Sequence, residues 1–269
     1  MKIIRIYSLL VGAVLLAAGT IAMTSLGGVR VRTETDSTAK GPGVASGVGD
    51  KVPAECSEGT EGLPSVRNGE IIPANLTGAE GADQLIVVVG TGGCNADVSY
   101  YKKNQDGGWE LAWKEAGVVG RGGIKAHKRE GDGNNPAGTY GLTMACGLKE
   151  DPGSILPYHK IAKGDYWVDD SASPYYNKLV NTSQLPKSWK SAENMSAASP
   201  YYNYGLALNY NSDCIPGRGS AIFLHCSAAS SDNGSAGCIR LPEARAMELV
   251  QSVTKQTKIV IAPDLNQLY

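Results

Sequence analysis

Glycine limits what this chain can fold into more than any other residue. Thirty-four of the 269 residues are glycine, and glycine adopts without strain the backbone conformations that tight turns need. Many turns therefore punctuate the chain. The aromatic residues agree: 13 Tyr and 4 Trp accompany a single Phe, a balance that suits half-exposed positions on sheets. A strand-rich fold is expected. The length is sufficient for a proper core without metals or covalent staples. With 25 basic against 26 acidic side chains, the chain lacks the basic surplus of a phosphate-backbone binder, so no nucleic-acid partner is expected. No internal repeat or heptad pattern is visible.

The first residues indicate a compartment. Lys2 and Arg5 precede a run without charge, residues 6–23, and no acidic residue occurs before Glu34. A basic start followed by an apolar stretch reads as an export signal. The run is long enough to span a bilayer, while Ala18, Gly19, Thr20 and Ala22 offer cleavage sites. A cleaved signal peptide and a membrane anchor thus both fit residues 1–30, and either puts the remainder outside the cytoplasm, where disulfides are permitted. Lys2, Arg5 and Arg30 leave with that segment, so 22 basic against 26 acidic residues remain. Such a surface has no affinity for anionic polymers by charge alone. Residues 31–56, rich in Ser, Thr and Gly, read as a flexible linker.

Strand signals begin at residues 84–90, a short apolar run that suits a buried strand. Residues 96–103, a turn at 104–108 and residues 109–116 then read as a hairpin. An N-terminal β-hairpin region is accordingly expected over 57–116, packed on a unit spanning 117–269. Residues 129–177 are loop-heavy, residues 204–210 alternate, and residues 220–226 form an apolar strand. Ala246, Leu249, Val250 and Val253 fall on one helical face, with Pro242 and Glu243 marking its start. Residues 258–262 read as a last strand. The fold class is mainly β with one or two short helices.

Chemistry gathers in Ser220-Ala-Ile-Phe-Leu-His225-Cys226 and Ser235-Ala-Gly-Cys238-Ile-Arg240. Strand alternation puts Ala221, Phe223 and His225 on one face and Ile222, Leu224 and Cys226 on the other. Cys238 and Arg240 share a face on the next short strand. A thiol beside an imidazole is an activated nucleophile, and backbone N–H groups around Gly237 and Cys238 could hold an oxyanion. The same residues also fit a plainer reading, with Cys238 in a disulfide and His225 a satisfied strand-end histidine.

At these residues the sequence resembles a known family. Gly217-Arg-Gly-Ser-Ala-Ile-Phe-Leu-His225 followed by Ser235-Ala-Gly-Cys-Ile-Arg240 resembles the catalytic motif of YkuD-type L,D-transpeptidases. Arg129-Glu-Gly-Asp-Gly-Asn-Asn-Pro-Ala-Gly-Thr-Tyr140 is similar to the opening of the catalytic domain in one branch of that family, as are Trp167-Val-Asp-Asp170, Tyr176-Asn177 and Asn209-Tyr-Asn211. The likeness covers residues 115–262. It implies a β-sandwich catalytic domain acting on peptidoglycan tetrapeptide stems. The thiolate of Cys238 would attack the third-residue carbonyl, expel D-alanine and form 3→3 cross-links, with His225 as general base. Resolution by water would make the enzyme an L,D-carboxypeptidase; a non-catalytic wall-binding module is the remaining alternative. Gly237, Arg240 and Ser235 are the implied oxyanion and substrate-binding residues. Ala236 stands where many members carry a second His, and the interval from His225 to Cys238 is slightly short.

Other residues carry weaker signals. His127 and His159 read as solvated, Glu130 and Asp132 as turn formers, and Asp169 and Asp170 as turn acids of which a cleft role is the lesser reading. Tyr201, Tyr202 and Tyr204 read as structural aromatics. No zinc-type spacing or dinucleotide loop occurs, so neither metal nor cofactor is expected. If Cys238 works as a thiol, Cys56 with Cys94 is the best disulfide pair and Cys146 with Cys214 a second. Cys226 then reads as a small buried apolar residue.

Overall fold

Five consecutive residues, Leu85 to Val89, are buried in the strand β1 (Gln84–Gly92), because both of its faces are covered. Ile86 and Val88 face an interior core, while Leu85, Val87 and Val89 face a second cluster roofed by Leu76, Ala79, Ala82 and Leu268. A continuous run of branched side chains suits such a doubly covered strand. The computed structural model describes residues 64–228 and 233–268. The expected signal or anchor, the linker and Cys56 lie outside the described residues.

β1 is followed by β2 (Asn95–Lys103), β3 (Trp109–Val118), β4 (Gly138–Gly147), β5 (Gly205–Leu208), β6 (Phe223–Cys226) and β7 (Ile239–Leu241). The helix α1 (Glu243–Ser252) and β8 (Lys258–Ala262) complete the chain order. The strands pair in the order β5-β6-β7-β3-β2-β1-β8-β4, and β5 also pairs with β4, so the sheet closes on itself. Closure leaves these strands without an open edge along the ring. Tyr158–Lys160 adds a short strand beside β4. Pairing in this sheet is antiparallel except at β6–β7, at β8–β1 and between β4 and Tyr158–Lys160. The strands of the expected hairpin region are members of this ring, and the boundary expected between 116 and 117 falls within β3.

The mainly β expectation holds, with one α-helix among the described residues. Ala246, Leu249, Val250 and Val253 of the predicted face all enter the interior core. Pro242 is the residue preceding α1 rather than its first turn. Glu243 accepts from Asn203 Nδ2 at 2.6 Å and from the Lys149 ammonium. α1 is tied to β3 through Trp113 Nε1, which donates to Glu248 at 3.1 Å, and through Arg245, 3.2 Å from Glu115. Among the described residues no helix is long and apolar enough to cross a membrane.

A small three-stranded sheet lies outside the ring, with Asp165–Val168 between Leu179–Asn181 and Ala192–Asn194. Its Trp167 meets Phe223 of β6 edge to face, ring centroids 4.9 Å apart. Together with Ile161, Met195, Tyr202 and Cys146 these residues cover the outer face of β6.

Leu249→Ala is expected to destabilise the fold by about 2–5 kcal/mol, through lost burial and the cavity left behind. Equilibrium urea denaturation checks this; a loss under about 1 kcal/mol would contradict the placement of α1 in the core.

Candidate active site

β6 alternates as its sequence suggests. Ile222, Leu224 and Cys226 enter the interior core, while Phe223 and His225 face the outer cluster. The parallel register pairs Leu224 with Ile239 and His225 with Arg240. Cys238 therefore stands just before β7, level with Phe223 and one same-face step from His225. The two line a cavity of about 330 Å³ together with Lys128, Glu130, Asp169 and Glu193.

His225 is held from two sides. Its Nδ1 lies 2.9 Å from the Cys226 carbonyl oxygen. A carbonyl only accepts, so the proton sits on Nδ1 and the basic lone pair on Nε2. This backbone carbonyl is the orienting group that no residue spacing could reveal. The ring packs against Tyr202, 5.0 Å away, and meets Tyr201 edge-on at 5.9 Å. Tyr202 is fixed in turn by donating its hydroxyl to Glu193 at 2.8 Å.

Cys238 is buried, and its thiol donates to the Ala221 carbonyl at 3.2 Å. Burial, and then the Glu193 carboxylate, push its pKa up to about 12. Both effects favour the protonated thiol at Cys238. Ala221 adopts a left-handed φ of 53°, held by its N–H donating to Asn177 Oδ1 at 3.0 Å. Trp167 Nε1 donates to that same oxygen at 2.9 Å, while Asn177 Nδ2 donates to the Tyr210 and Asn211 carbonyls. The structure thus brings Trp167, Asn177 and residues 210–211 together behind Ala221 and Cys238.

The loop before Cys238 departs from expectation at one point. The Gly237 N–H donates to Ser235 Oγ at 3.0 Å, and that hydroxyl donates to the Cys238 carbonyl at 2.6 Å. The Gly237 amide is engaged within the loop rather than turned to an oxyanion, and Ser235 shapes the loop. Glycine is still required at 237: φ is +147°, and an added Cβ would lie 3.0 Å from the Asn134 carbonyl oxygen. Arg240 lines the cleft with its guanidinium 4.2 Å from the Tyr201 ring centre.

The acidic turn does more than turn the chain. Glu130 Oε2 accepts from Ser220 Oγ at 2.7 Å and from the Tyr176 hydroxyl at 2.5 Å. Asp132 accepts from the Arg129 and Asn134 amides at 2.7 and 2.9 Å and from Lys128 Nζ at 2.9 Å. Burial opposes ionisation of Asp132, but these donors outweigh it and bring its pKa down to about 2. Lys128, which sequence reasoning missed, has a side chain only 2% exposed.

The remaining candidates disperse. His127 lines a neighbouring groove, and His159 pairs with Asp165 at 2.8 Å, away from the cleft. Asp169 lines the cleft, whereas Asp170 accepts the Lys190 and Ala172 amides. Tyr204 belongs to the interior core. The expected Cys146–Cys214 bridge is not formed: both are thiols. Cys146 is buried in β4, while Cys214 occupies a left-handed turn with its thiol on the Ser212 carbonyl. Cys226 is buried on the face opposite His225, and Cys94 lies in the turn between β1 and β2. Among the described residues no group of three or more His, Cys, Asp or Glu is placed to hold a metal.

A family model described as the YkuD L,D-transpeptidase catalytic domain matches residues 95–261. Solved structures similar to this chain include Bd1075 of Bdellovibrio bacteriovorus, 17% identical over 67% of this chain and 48% of that one, with a TM-score of 0.37. The helical cell shape determining protein Pgp2 from Campylobacter jejuni is 16% identical over 67% and 48%, at a TM-score of 0.35. A mutant of the Enterococcus faecium L,D-transpeptidase is 17% identical over 66% and 49%, at 0.32. The chain spans about half the length of these structures. Comparison with curated proteins found no match.

Because the folded-state pKa of Asp132 is depressed, its contribution to stability is complete above the unfolded value near 3.9 and is lost as pH falls towards 2. Urea denaturation from pH 6 to 2 is expected to show about 2 kcal/mol of acid-sensitive stability that is missing in Asp132→Asn. Parallel pH profiles for the two proteins would contradict this.

Proposed function

Since the chain belongs to the YkuD family of L,D-transpeptidase catalytic domains, we propose that it is an exported peptidoglycan acyltransferase with Cys238 as nucleophile and His225 as general base. The observation that carries this reading is the shared cleft. Cys238 and His225 line it together, and the Cys226 carbonyl holds the imidazole with Nε2 as its basic nitrogen.

The reaction follows from that arrangement. On entry of a tetrapeptide stem, Nε2 takes the Cys238 proton and the thiolate forms its bond to the third-residue carbonyl carbon. The carbonyl electron pair moves to oxygen, giving an oxyanion. When the oxyanion collapses, the bond to the terminal D-alanine breaks, and its amine leaves with the proton carried by the imidazolium. A thioester remains on Cys238. The side-chain amine of a second stem's diamino acid then attacks the thioester and gives up its proton through His225. A 3→3 cross-link forms and the thiol is restored.

The resting state supports proton transfer coupled to substrate entry rather than a standing thiolate. Ala221 is the thiol's acceptor at rest, and the dry surroundings oppose charge until a carbonyl arrives to receive it. Among the described residues Cys238 has no cysteine partner, which speaks against a wall-binding module with an oxidised Cys238. An extracytoplasmic location, secreted or anchored through residues 6–23, follows from the same reading.

Incubation of the protein with tetrapeptide muropeptides and mass spectrometry of the products is the direct test. Release of D-alanine with cross-linked dimers is expected, and Cys238→Ala and His225→Ala should each lower turnover by about 10²–10⁴-fold. D-alanine release without dimers would leave only the carboxypeptidase; turnover unaffected by either substitution would overturn the reading.

A further inference from the structure

Two glycines make room for a buried cation beside the nucleophile. A Cβ on Gly219 would lie 2.8 Å from Lys128 Cε and 3.1 Å from its Cγ, and Gly219 has a φ of +103°. The side-chain stem of Lys128 therefore runs through space that any other residue at 219 would fill. At the far end, Lys128 Nζ lies 3.3 Å from the point a Gly237 Cβ would occupy, next to the Gly237–Cys238 peptide. Asp132 Oδ1 at 2.9 Å and the Arg129 carbonyl at 3.3 Å accept from the ammonium, which accounts for two of its three protons.

Burying an ammonium is costly, and an apolar residue of the same volume would fill the space at least as well. Asp132 could not compensate the charge without being held itself, and the Arg129 and Asn134 amides hold it. The fold thus spends one carboxylate, two amides and two glycines on placing a fixed cation against the nucleophile loop. Of the Gly237 and Cys238 amides expected to face an oxyanion, that of Gly237 donates to Ser235 instead.

We propose that the Lys128 ammonium is the cation that stabilises negative charge developing at Cys238, first as thiolate and then as the oxyanion of the attacked carbonyl. This rests on the acyltransfer reading above and assigns its electrostatic stabiliser. Preorganised charge in a water-poor site is effective because it need not reorient as the reaction charge appears. The other charged and titratable groups around Cys238 are His225 and Arg240 on β6 and β7, and Glu130 on the Lys128 loop. Asp169 and Glu193 face it from the small outer sheet, and Tyr202 and Cys146 from behind. Burial and Glu193 hold the thiol up, while a backbone hydrogen bond from Phe223, then Arg240 and Lys128, pull it down.

The test follows alkylation of Cys238 by iodoacetamide against pH, read on the Cys238 peptide by mass spectrometry. Lys128→Met is expected to raise the apparent thiol pKa by about one unit or more, slowing alkylation at neutral pH about tenfold or more. Lys128→Arg should stay within about threefold of the unaltered protein. Asp132→Asn, which leaves the ammonium without its counter-ion, should shift the profile the opposite way, and this second variant decides the matter if Lys128→Met does not fold. A folded Lys128→Met with an unshifted profile, or an unshifted Asp132→Asn, overturns the proposal. Alkylation needs no stem peptide, so an intact Lys128 effect in a protein without muropeptide turnover would sink the acyltransfer reading separately.

Discussion

The site depends on two parallel rungs, Leu224 with Ile239 and His225 with Arg240. Parallel neighbours cannot be joined by a tight turn and need a connection of about a dozen residues. The 227–238 segment is that connection. Its last part is anchored just beyond β3, the neighbour of β7 in the ring, where Ser235 donates its N–H to the Val119 carbonyl and accepts from the Arg121 N–H. Because the connection must end where β7 begins, Cys238 arrives beside His225 as a consequence of strand pairing. Side-chain contact between the two residues is not what places them.

The closed sheet makes this placement stiff. β5 bonds to β4 on one side and β6 on the other, so a shift of β6 would have to break the ring. Gly205 of β5 pairs with both His225 and Cys146, and a Cβ there would lie 3.5 Å from each. The imidazole itself packs against Tyr202, 5.0 Å away. The outer sheet then brings Glu193 and Asp169 to one wall of the cleft, while Lys128 and Arg240 contribute positive charge. A cleft lined by both signs in low dielectric exerts a directed field on a reacting carbonyl.

Much of this was legible in the sequence, for physical reasons that also mark the limits. Period-two burial identified β6 and the opposite faces of His225 and Cys226, and a 3.6-residue period identified the buried face of α1. Glycine-containing turns identified the β2–β3 hairpin. Ring closure was not legible, because β4 and β5 pair across a long intervening stretch and local periodicity carries no partner information. The outer sheet escaped for a different reason: its strands are three or four residues long, too short for a period to register. Lys128 was invisible because lysine is ordinarily solvated. Its burial is announced only by Asp132 four residues on and by glycines ninety or more residues away. The pairing of Cys146 with Cys214 assumed that both fall in turns beside strands, whereas Cys146 is buried within β4.

The thiol's bond to the Ala221 carbonyl has a consequence beyond the reaction itself. Peroxides and disulfides attack the thiolate, and sulfenic acid forms at the rate at which that anion is present and reachable. A sulfur kept protonated, hydrogen-bonded to backbone and shut away from water presents almost none of it between turnovers. The arrangement that holds Cys238 as a buried thiol therefore also acts as chemical storage. On the acyltransfer proposal, geometry itself keeps the Cys238 sulfur reduced.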